Sequence, residues 1–332
     1  MSTNVSGKFT AGVVQASPQF LDLNGGVEKT IALITDASRG GANLVAFPEC
    51  WIPGMPWWVS LDSAGWCRQF TGRYFDNAMT VDGPEMAAIR ASALENNIFV
   101  VFGFVERAHG SLYMAQAIIS NEGVLIAARR KLRPTHLERS IFGEGDGSDL
   151  KVHETRLGNL GALNCWEHIQ PLAKQAMFSQ HEQIHVASWP SFCRPQGNNF
   201  AMSGAGALAC SQVYSIEGQC FTLASAAVMS PEIIELLCDK PEKEGAMFPG
   251  GGMAYIIGPD GSILNDILPH DEEGIAYAEV DIKQIFYSKA LADPVGHYSR
   301  PDVLQLAFDP SPKRRVIDID TRKTPEFVEG RG

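Results

Sequence analysis

The sequence lacks the features that would place it in several large protein classes. Its longest apolar runs, such as Ile98–Val101, fall far short of the ~20 residues that a membrane-spanning helix needs. Its densest basic stretch, Arg129-Arg130-Lys131-Leu132-Arg133, is short, and the formal net charge is -11. Such a balance argues against nucleic acid or an anionic membrane as a partner. No charged-then-apolar segment opens MSTNVSGKFT, so no secretory signal is expected there. No C-x-x-C pair occurs among the seven cysteines, which are odd in number and scattered. Neither a disulfide framework nor a thiolate zinc site is therefore expected. The expectation is a soluble, cytoplasmic chain held in a reducing compartment.

What is present is ordinary globular material: 332 residues, 45% apolar and 20% charged, enough for one large α/β domain or two smaller ones. Strand-like runs at Phe9–Ala16, Asn43–Phe47, Ile98–Phe104, Leu160–Asn164, Ile184–Ser188 and Phe221–Ala226 alternate with helical periodicity. The helices are read over Gly26–Ser38, Pro84–Asn96, Pro171–Gln180 and Ala201–Glu217. Hairpins are read at Tyr113–Ala128, before Leu160–Asn164, and at Met253–Ile267. This pattern predicts a mixed-sheet α/β domain. The hairpins AQAIISNEGVLIAA and AYIIGPDGSILNDI share a pattern, a hint of two similar halves. Beyond about Ile285 the chain turns polar and rich in proline, and a tail laid on a partner subunit or disordered is expected.

The reactive residues fall in a telling place. Glu49 follows the strand NLVAF, Lys131 follows VLIAA and two arginines, and Cys165 follows LGALN. Strand exits are where α/β proteins put ligand chemistry. Singly, each residue has a plain explanation: a buried thiol, a turn-capping carboxylate, a solvated lysine. Together they make a nucleophile site. A free thiol has a pKa of roughly 8.5, a neighbouring carboxylate can take its proton, and an ammonium favours the developing anion.

A rival motif lies just downstream. His181-Glu182-Gln183-Ile184-His185 spells the H-E-x-x-H of a zinc hydrolase. That chemistry needs both histidines on one helical face, whereas IHVAS is rich enough in β-branched residues to be a strand. No metal is therefore expected. The run Pro249-Gly250-Gly251-Gly252 lacks the ending of a phosphate-binding loop and reads as a plain loop.

Five blocks carry a family resemblance: FPECWIPGMPWW, RRKLRPTHLERSIFGEGDGSDL, GALNCWEHIQPL, HEQIHVASWPSF and DPVGHYSRPDVL. With them the chain resembles the nitrilase branch of the carbon–nitrogen hydrolase superfamily across nearly all of residues 8–308. The resemblance implies a four-layer α-β-β-α sandwich of two mixed sheets, with a hydrolase domain over 1–285 and an extension over 286–332. It implies a Glu49–Lys131–Cys165 triad, a second glutamate, Glu138, and an anion held by Lys131 and the Trp166 N–H. It implies hydrolysis of a nitrile to a carboxylic acid and ammonia without any cofactor, and self-association into dimers or open spirals. Trp57, Trp58, Trp166, Trp189, Pro190 and Phe192 are the expected pocket walls, suited to aromatic, arylaliphatic or aliphatic nitriles. An amidase or a cyanide-degrading relative would use the same triad, and an idle site in a filament-forming protein is a third reading.

Overall fold

The computed structural model describes residues 7–195, 197 and 199–313. Among the described residues twelve strands form two sheets. In the first, β1 (Lys8–Gln15), β2 (Leu44–Ala46) and β3 (Phe99–Ala108) run parallel. The chain then doubles back through β4 (Ser111–Ile119) and β5 (Leu125–Arg130), each antiparallel to the strand before it. The two-residue β6 (Phe142–Gly143) adds beside β4. The second sheet opens with the hairpin β7 (His153–Thr155) and β8 (Gly158–Asn164). Parallel β9 (Ile184–Trp189) and β10 (Phe221–Ala226) follow, then antiparallel β11 (Met253–Ile257). Finally β12 (Gly274–Asp281) crosses back to pair with β1. Each half thus lays down three parallel strands and then turns back, the relation hinted at by the paired hairpin patterns.

Alternation along the strands explains the layering. Phe9, Ala11 and Val13 of β1, Phe99 and Val101 of β3, and Ile184 and Val186 of β9 meet in one core between the sheets. The opposite faces pack on helices: Val14, Val100, Phe102 and Phe104 against α1 (Leu23–Arg39) and, further on in the chain, the helix Pro84–Glu95. With both faces buried, a strand needs no polar side, which is why β3 reads as an unbroken apolar run. Between those two helices lies α2 (Ala64–Asp76), so Pro84–Glu95 is α3. On the second sheet, α4 (Pro171–Phe178) and α5 (Gly204–Gly218) cover Leu163, Ala187, Trp189 and Ala224. The layers are therefore α-β-β-α.

Four elements depart from expectation. The return strand at Ser262–Ile267 does not form beyond a single bridge, Ile257 to Ile263, because the Asn265 side chain accepts from the Ile256 N–H in place of a backbone carbonyl. The helices α2, α6 (Pro231–Leu237) and α7 (Lys283–Leu291) went unread. All three have little apolar stripe to see; in α7 only Ile285 is buried. From Ala292 to Lys313 the chain runs without helix or strand, and Leu306 and Phe308 pack onto the Leu150 and Phe178 cluster. The disorder expected at the end of the tail concerns residues 314–332, which lie outside the described residues.

Candidate active site

The three reactive residues arrive from two sheets. β2 and β5 run in the same sense within the first sheet and deliver Glu49 and Lys131; β8 of the second sheet delivers Cys165. Lys131 Nζ donates to Glu49 Oε1 at 2.9 Å and to Glu138 Oε2 at 2.9 Å, with the lysine and Glu49 side chains fully enclosed. Glu138 is itself fixed by a capping box, its Oε2 accepting from the Thr135 N–H at 2.6 Å. The second Glu49 oxygen, Oε2, is buried and has no hydrogen-bond partner among the described residues. It is the free lone pair of the site.

Backbone pins set these positions. The Glu49 N–H donates to the Trp189 carbonyl at 3.1 Å, which ties the end of β2 to the end of β9. Gly103 on β3 passes so close beneath that a Cβ there would lie 2.3 Å from the Pro48 carbonyl oxygen and 2.9 Å from Glu49 Cα. Only glycine permits that approach. Ser188 Oγ donates to the Phe47 carbonyl, and Gln116 Nε2 donates to Ser188 Oγ and to the Leu163 carbonyl. These bonds join the strand ends carrying Glu49 and Cys165 across the sheet interface. Cys165 itself adopts a left-handed φ of +47°, uncommon for a residue with a side chain, at the entry to a 3-10 turn.

The electrostatics divide the roles. Burial presses on Lys131 most, but Glu49 and Glu138 overcome it and hold the ammonium well above its ordinary pKa. It is a fixed cation and cannot serve as a base. Burial pushes the Cys165 thiol well up, Glu49 adds to this, and Lys131 and the facing Trp166 N–H oppose it. The resting sulfur is thus a neutral thiol. Burial also lifts Glu49 above the carboxylate range while Lys131 pulls it back. A carboxylate made more basic is better matched to a thiol proton, which is what general-base transfer requires.

The expected walls separate. Trp57 and Pro190 line, with Glu49, a small cavity of about 10 Å³, alongside Phe20 and Met55. Trp166 faces a groove of about 730 Å³ shared with Leu132, Thr135 and Leu172. Phe192 is half-buried and packs beside Trp189. Trp58 and Trp189 are engaged in core packing instead: Trp58 against Phe70 and Tyr74, Trp189 stacked on His168 with its N–H donated to Ser211. Large apolar rings read equally well as wall or filler in a sequence, so nothing there could separate the two.

The basic stretch is not a surface patch. Arg129 forms a buried fork on Glu167, with Nη2 to Oε1 at 2.7 Å and Nη1 to Oε2 at 2.9 Å. Arg130 pairs with Glu106 and lies over the Tyr113 ring, and Arg133 pairs with Glu144. Glu167 also accepts from the Leu132 N–H at 2.8 Å and the Asn164 N–H at 2.7 Å, touching the neighbours of both Lys131 and Cys165. Sequence reasoning missed this clamp, and the signal was the third letter of C-W-E-H. The H-E-x-x-H residues are drawn apart: His181 is exposed in a turn while His185 is buried in β9. Among the described residues no group of three or more potential ligands could hold a metal ion.

Residues 10–286 match the carbon-nitrogen hydrolase family. The chain is 48% identical over 317 residues to a nitrilase of Pseudomonas syringae pv. syringae, covering 95% of this chain and 94% of that one. It is 48% identical to an aliphatic nitrilase of Rhodococcus rhodochrous, covering 94% of this chain and 85% of the other. An arylacetonitrilase of Aspergillus niger is 45% identical, over 96% and 97% of the two chains. Among solved structures, a carbon-nitrogen hydrolase from Helicobacter pylori G27 superposes with a TM-score of 0.71 at 20% identity, over 90% of this chain and 97% of that one. The C. elegans NitFhit protein gives 0.71 at 18% identity, over 92% of this chain and 68% of its own.

Proposed function

The chain belongs to the carbon–nitrogen hydrolase family, and from that premise we propose that it is a nitrilase with Cys165 as nucleophile. The reading is carried by one observation: in a chain this similar to nitrilases, a buried ammonium bridges two carboxylates beside a thiol. The chain converts an organic nitrile to the carboxylic acid and ammonia, consuming two waters. Glu49 takes the thiol proton on its free Oε2 as sulfur bonds to the nitrile carbon, and the nitrogen is protonated to give a thioimidate. Water adds to that carbon, the C–N bond breaks, and ammonia leaves behind a thioester. A second water, deprotonated by Glu49 with Glu138 beside it, breaks the C–S bond and frees the acid. Lys131 and the Trp166 N–H stabilise the anion that develops at each addition. The substrate class, aromatic, arylaliphatic or aliphatic nitriles, is supported by the likeness to an aliphatic nitrilase and an arylacetonitrilase. The cavity that Trp57 and Pro190 line beside Glu49, at about 10 Å³, has room for little more than a water and must open for any such side chain.

Acid-quenched enzyme incubated with a nitrile should yield a Cys165 peptide heavier by the thioimidate or thioester group. An unmodified Cys165 peptide recovered while ammonia is still being released would sink the reading. Ammonia release from the matching amide, compared with the nitrile, distinguishes an amidase.

All seven cysteines are unpaired, which suits the reducing cytoplasm. Self-association is supported by apolar side chains left exposed on the outer helical layer and on the C-terminal segment. Leu172 is 69% exposed, Ile216 52%, Leu291 85% and Leu304 79%. Sedimentation velocity should show a dimer or larger species at micromolar concentration; a monomer there ends that part of the proposal.

A further inference from the structure

Two residues of the H-E-x-x-H motif that the proposed reaction leaves unused, Glu182 and His185, join His168 and Tyr214 in a buried chain of hydrogen bonds ending at the Cys165 carbonyl. His168 Nδ1 lies 2.6 Å from the Cys165 carbonyl oxygen, and His168 Nε2 lies 2.8 Å from His185 Nε2. His185 Nδ1 lies 2.8 Å from Glu182 Oε1, and Tyr214 donates its hydroxyl to Glu182 Oε2 at 2.5 Å.

Which atom donates at each link follows from the carbonyl, which can only accept. His168 Nδ1 therefore carries a proton, and in a neutral ring its Nε2 is a bare acceptor. His185 Nε2 must then donate, which leaves His185 Nδ1 bare. A bare nitrogen needs a donor opposite, and the atom that lies there is the Glu182 carboxyl oxygen. We propose that Glu182 is a positioning residue of the reaction, a neutral carboxylic acid whose proton sets the direction of this relay and so holds the Cys165 carbonyl. Because that carbonyl shares a peptide plane with the Trp166 N–H, fixing one aims the other at the sulfur and the developing anion. The proposal rests on Cys165 being the nucleophile.

Two further observations agree. Burial raises Glu182 to about 8, outweighing the Tyr214 hydrogen bond that lowers it. Burial likewise depresses His168 to about 3 and His185 well below its ordinary value, so both rings stay neutral. Space for the carboxyl is reserved by Gly161 on β8, where a Cβ would sit 2.0 Å from Glu182 Oε1. The titratable groups facing the relay are Tyr214 from α5, the Cys220 thiol ahead of β10, and, around the two histidines, the Arg129–Glu167 pair and Lys174.

Above its raised pKa Glu182 becomes a carboxylate that faces a bare nitrogen, and the relay loses its direction. Glutamine supplies an N–H to His185 and an oxygen to Tyr214 at every pH. The test compares wild type, Glu182→Gln and Glu182→Leu by kcat and KM for nitrile hydrolysis from pH 6.5 to 9.5. Glu182→Leu should lose roughly 100-fold in kcat, and Glu182→Gln should rescue that loss. The ratio of Glu182→Gln to wild type cancels the titration of Glu49, which both share, and should rise roughly tenfold across that range. Thermal unfolding gives a second readout. The folded pKa of Glu182 lies above its unfolded value, so the wild type's stability relative to Glu182→Gln is full below about pH 4.5, falls as pH rises, and levels off beyond about pH 8. A flat activity ratio, or a Glu182→Gln protein that is misfolded or inactive at pH 6.5, overturns the proposal. Iodoacetamide labelling of Cys165, read by peptide mass, separates this from failure of the parent reading: turnover that survives full labelling refutes the nucleophile itself.

Discussion

Lys131→Met should lower kcat/KM by at least about 10³-fold and destabilise the protein by about 3–5 kcal/mol. Both effects follow from one bridge. Lys131 Nζ holds Glu49 and Glu138 at 2.9 Å each in a buried site. Without the ammonium, two carboxylates face each other in low dielectric and cannot both stay ionised. One takes a proton, which removes either the base or its helper, and the anion of each addition loses its cation. The loss of stability must depend on pH. Glu49 is already held above the carboxylate range by burial, and loss of Lys131 lifts it further. A carboxyl whose folded pKa exceeds its unfolded value contributes its stability below the unfolded pKa and loses it as pH rises towards the folded one. Urea unfolding at pH 5 and pH 8.5 should therefore show the deficit of Lys131→Met growing at the higher pH. A variant as stable as wild type at both, or turnover within tenfold of it, would contradict the role assigned to this lysine.

The mixed-sheet α/β class and the strand exits were legible in the sequence because they rest on local periodicity and on the rule that α/β proteins gather chemistry at strand ends, whereas the four-layer arrangement came from the family resemblance alone. β3 announced itself as IFVVFGF because both its faces are buried. The sheet to which each reactive strand belongs was not legible. Glu49 and Lys131 share one sheet and Cys165 lies on the other, and pairing between distant segments leaves no mark on either segment alone. α2 was hidden for a different reason: only Phe70 and Tyr74 along it are buried, too few to make a stripe. The two motifs that competed for Cys165's neighbourhood proved to be physically joined. His185 could not share a helical face with His181 because β9 begins at Ile184, and in the strand it meets His168 of C-W-E-H instead. A short motif fixes which residues are near in sequence; the element it lies on decides which are near in space.

Glu167→Gln should cost about 3–5 kcal/mol and reduce kcat roughly 100-fold, although Glu167 touches neither the sulfur nor the lysine. Its carboxylate receives four donors: two from the Arg129 guanidinium, one from the Leu132 N–H and one from the Asn164 N–H. The last two belong to the residues following Lys131 and preceding Cys165, so one side chain sets the distance between the ends of two sheets. A single amide oxygen cannot serve all four, and the buried Arg129 loses its counter-charge. Burial alone would raise Glu167, but the Arg129 charge and these hydrogen bonds outweigh it and hold the carboxyl below its ordinary value of 4.5. Its contribution is therefore present above that value and lost as pH falls through the folded one, so the variant's deficit should shrink in acid. A second variant separates positioning from stability. Arg129→Met with Glu167→Met removes both charges together, and apolar replacement of a buried pair is often neutral or stabilising. The double variant should regain part of the lost stability, less what the Leu132 and Asn164 N–H groups cost once left without that acceptor, while kcat stays low, because no group then ties Leu132 to Asn164. Full recovery of kcat along with stability would show that Glu167 only holds the fold together and takes no part in setting the gap between Lys131 and Cys165.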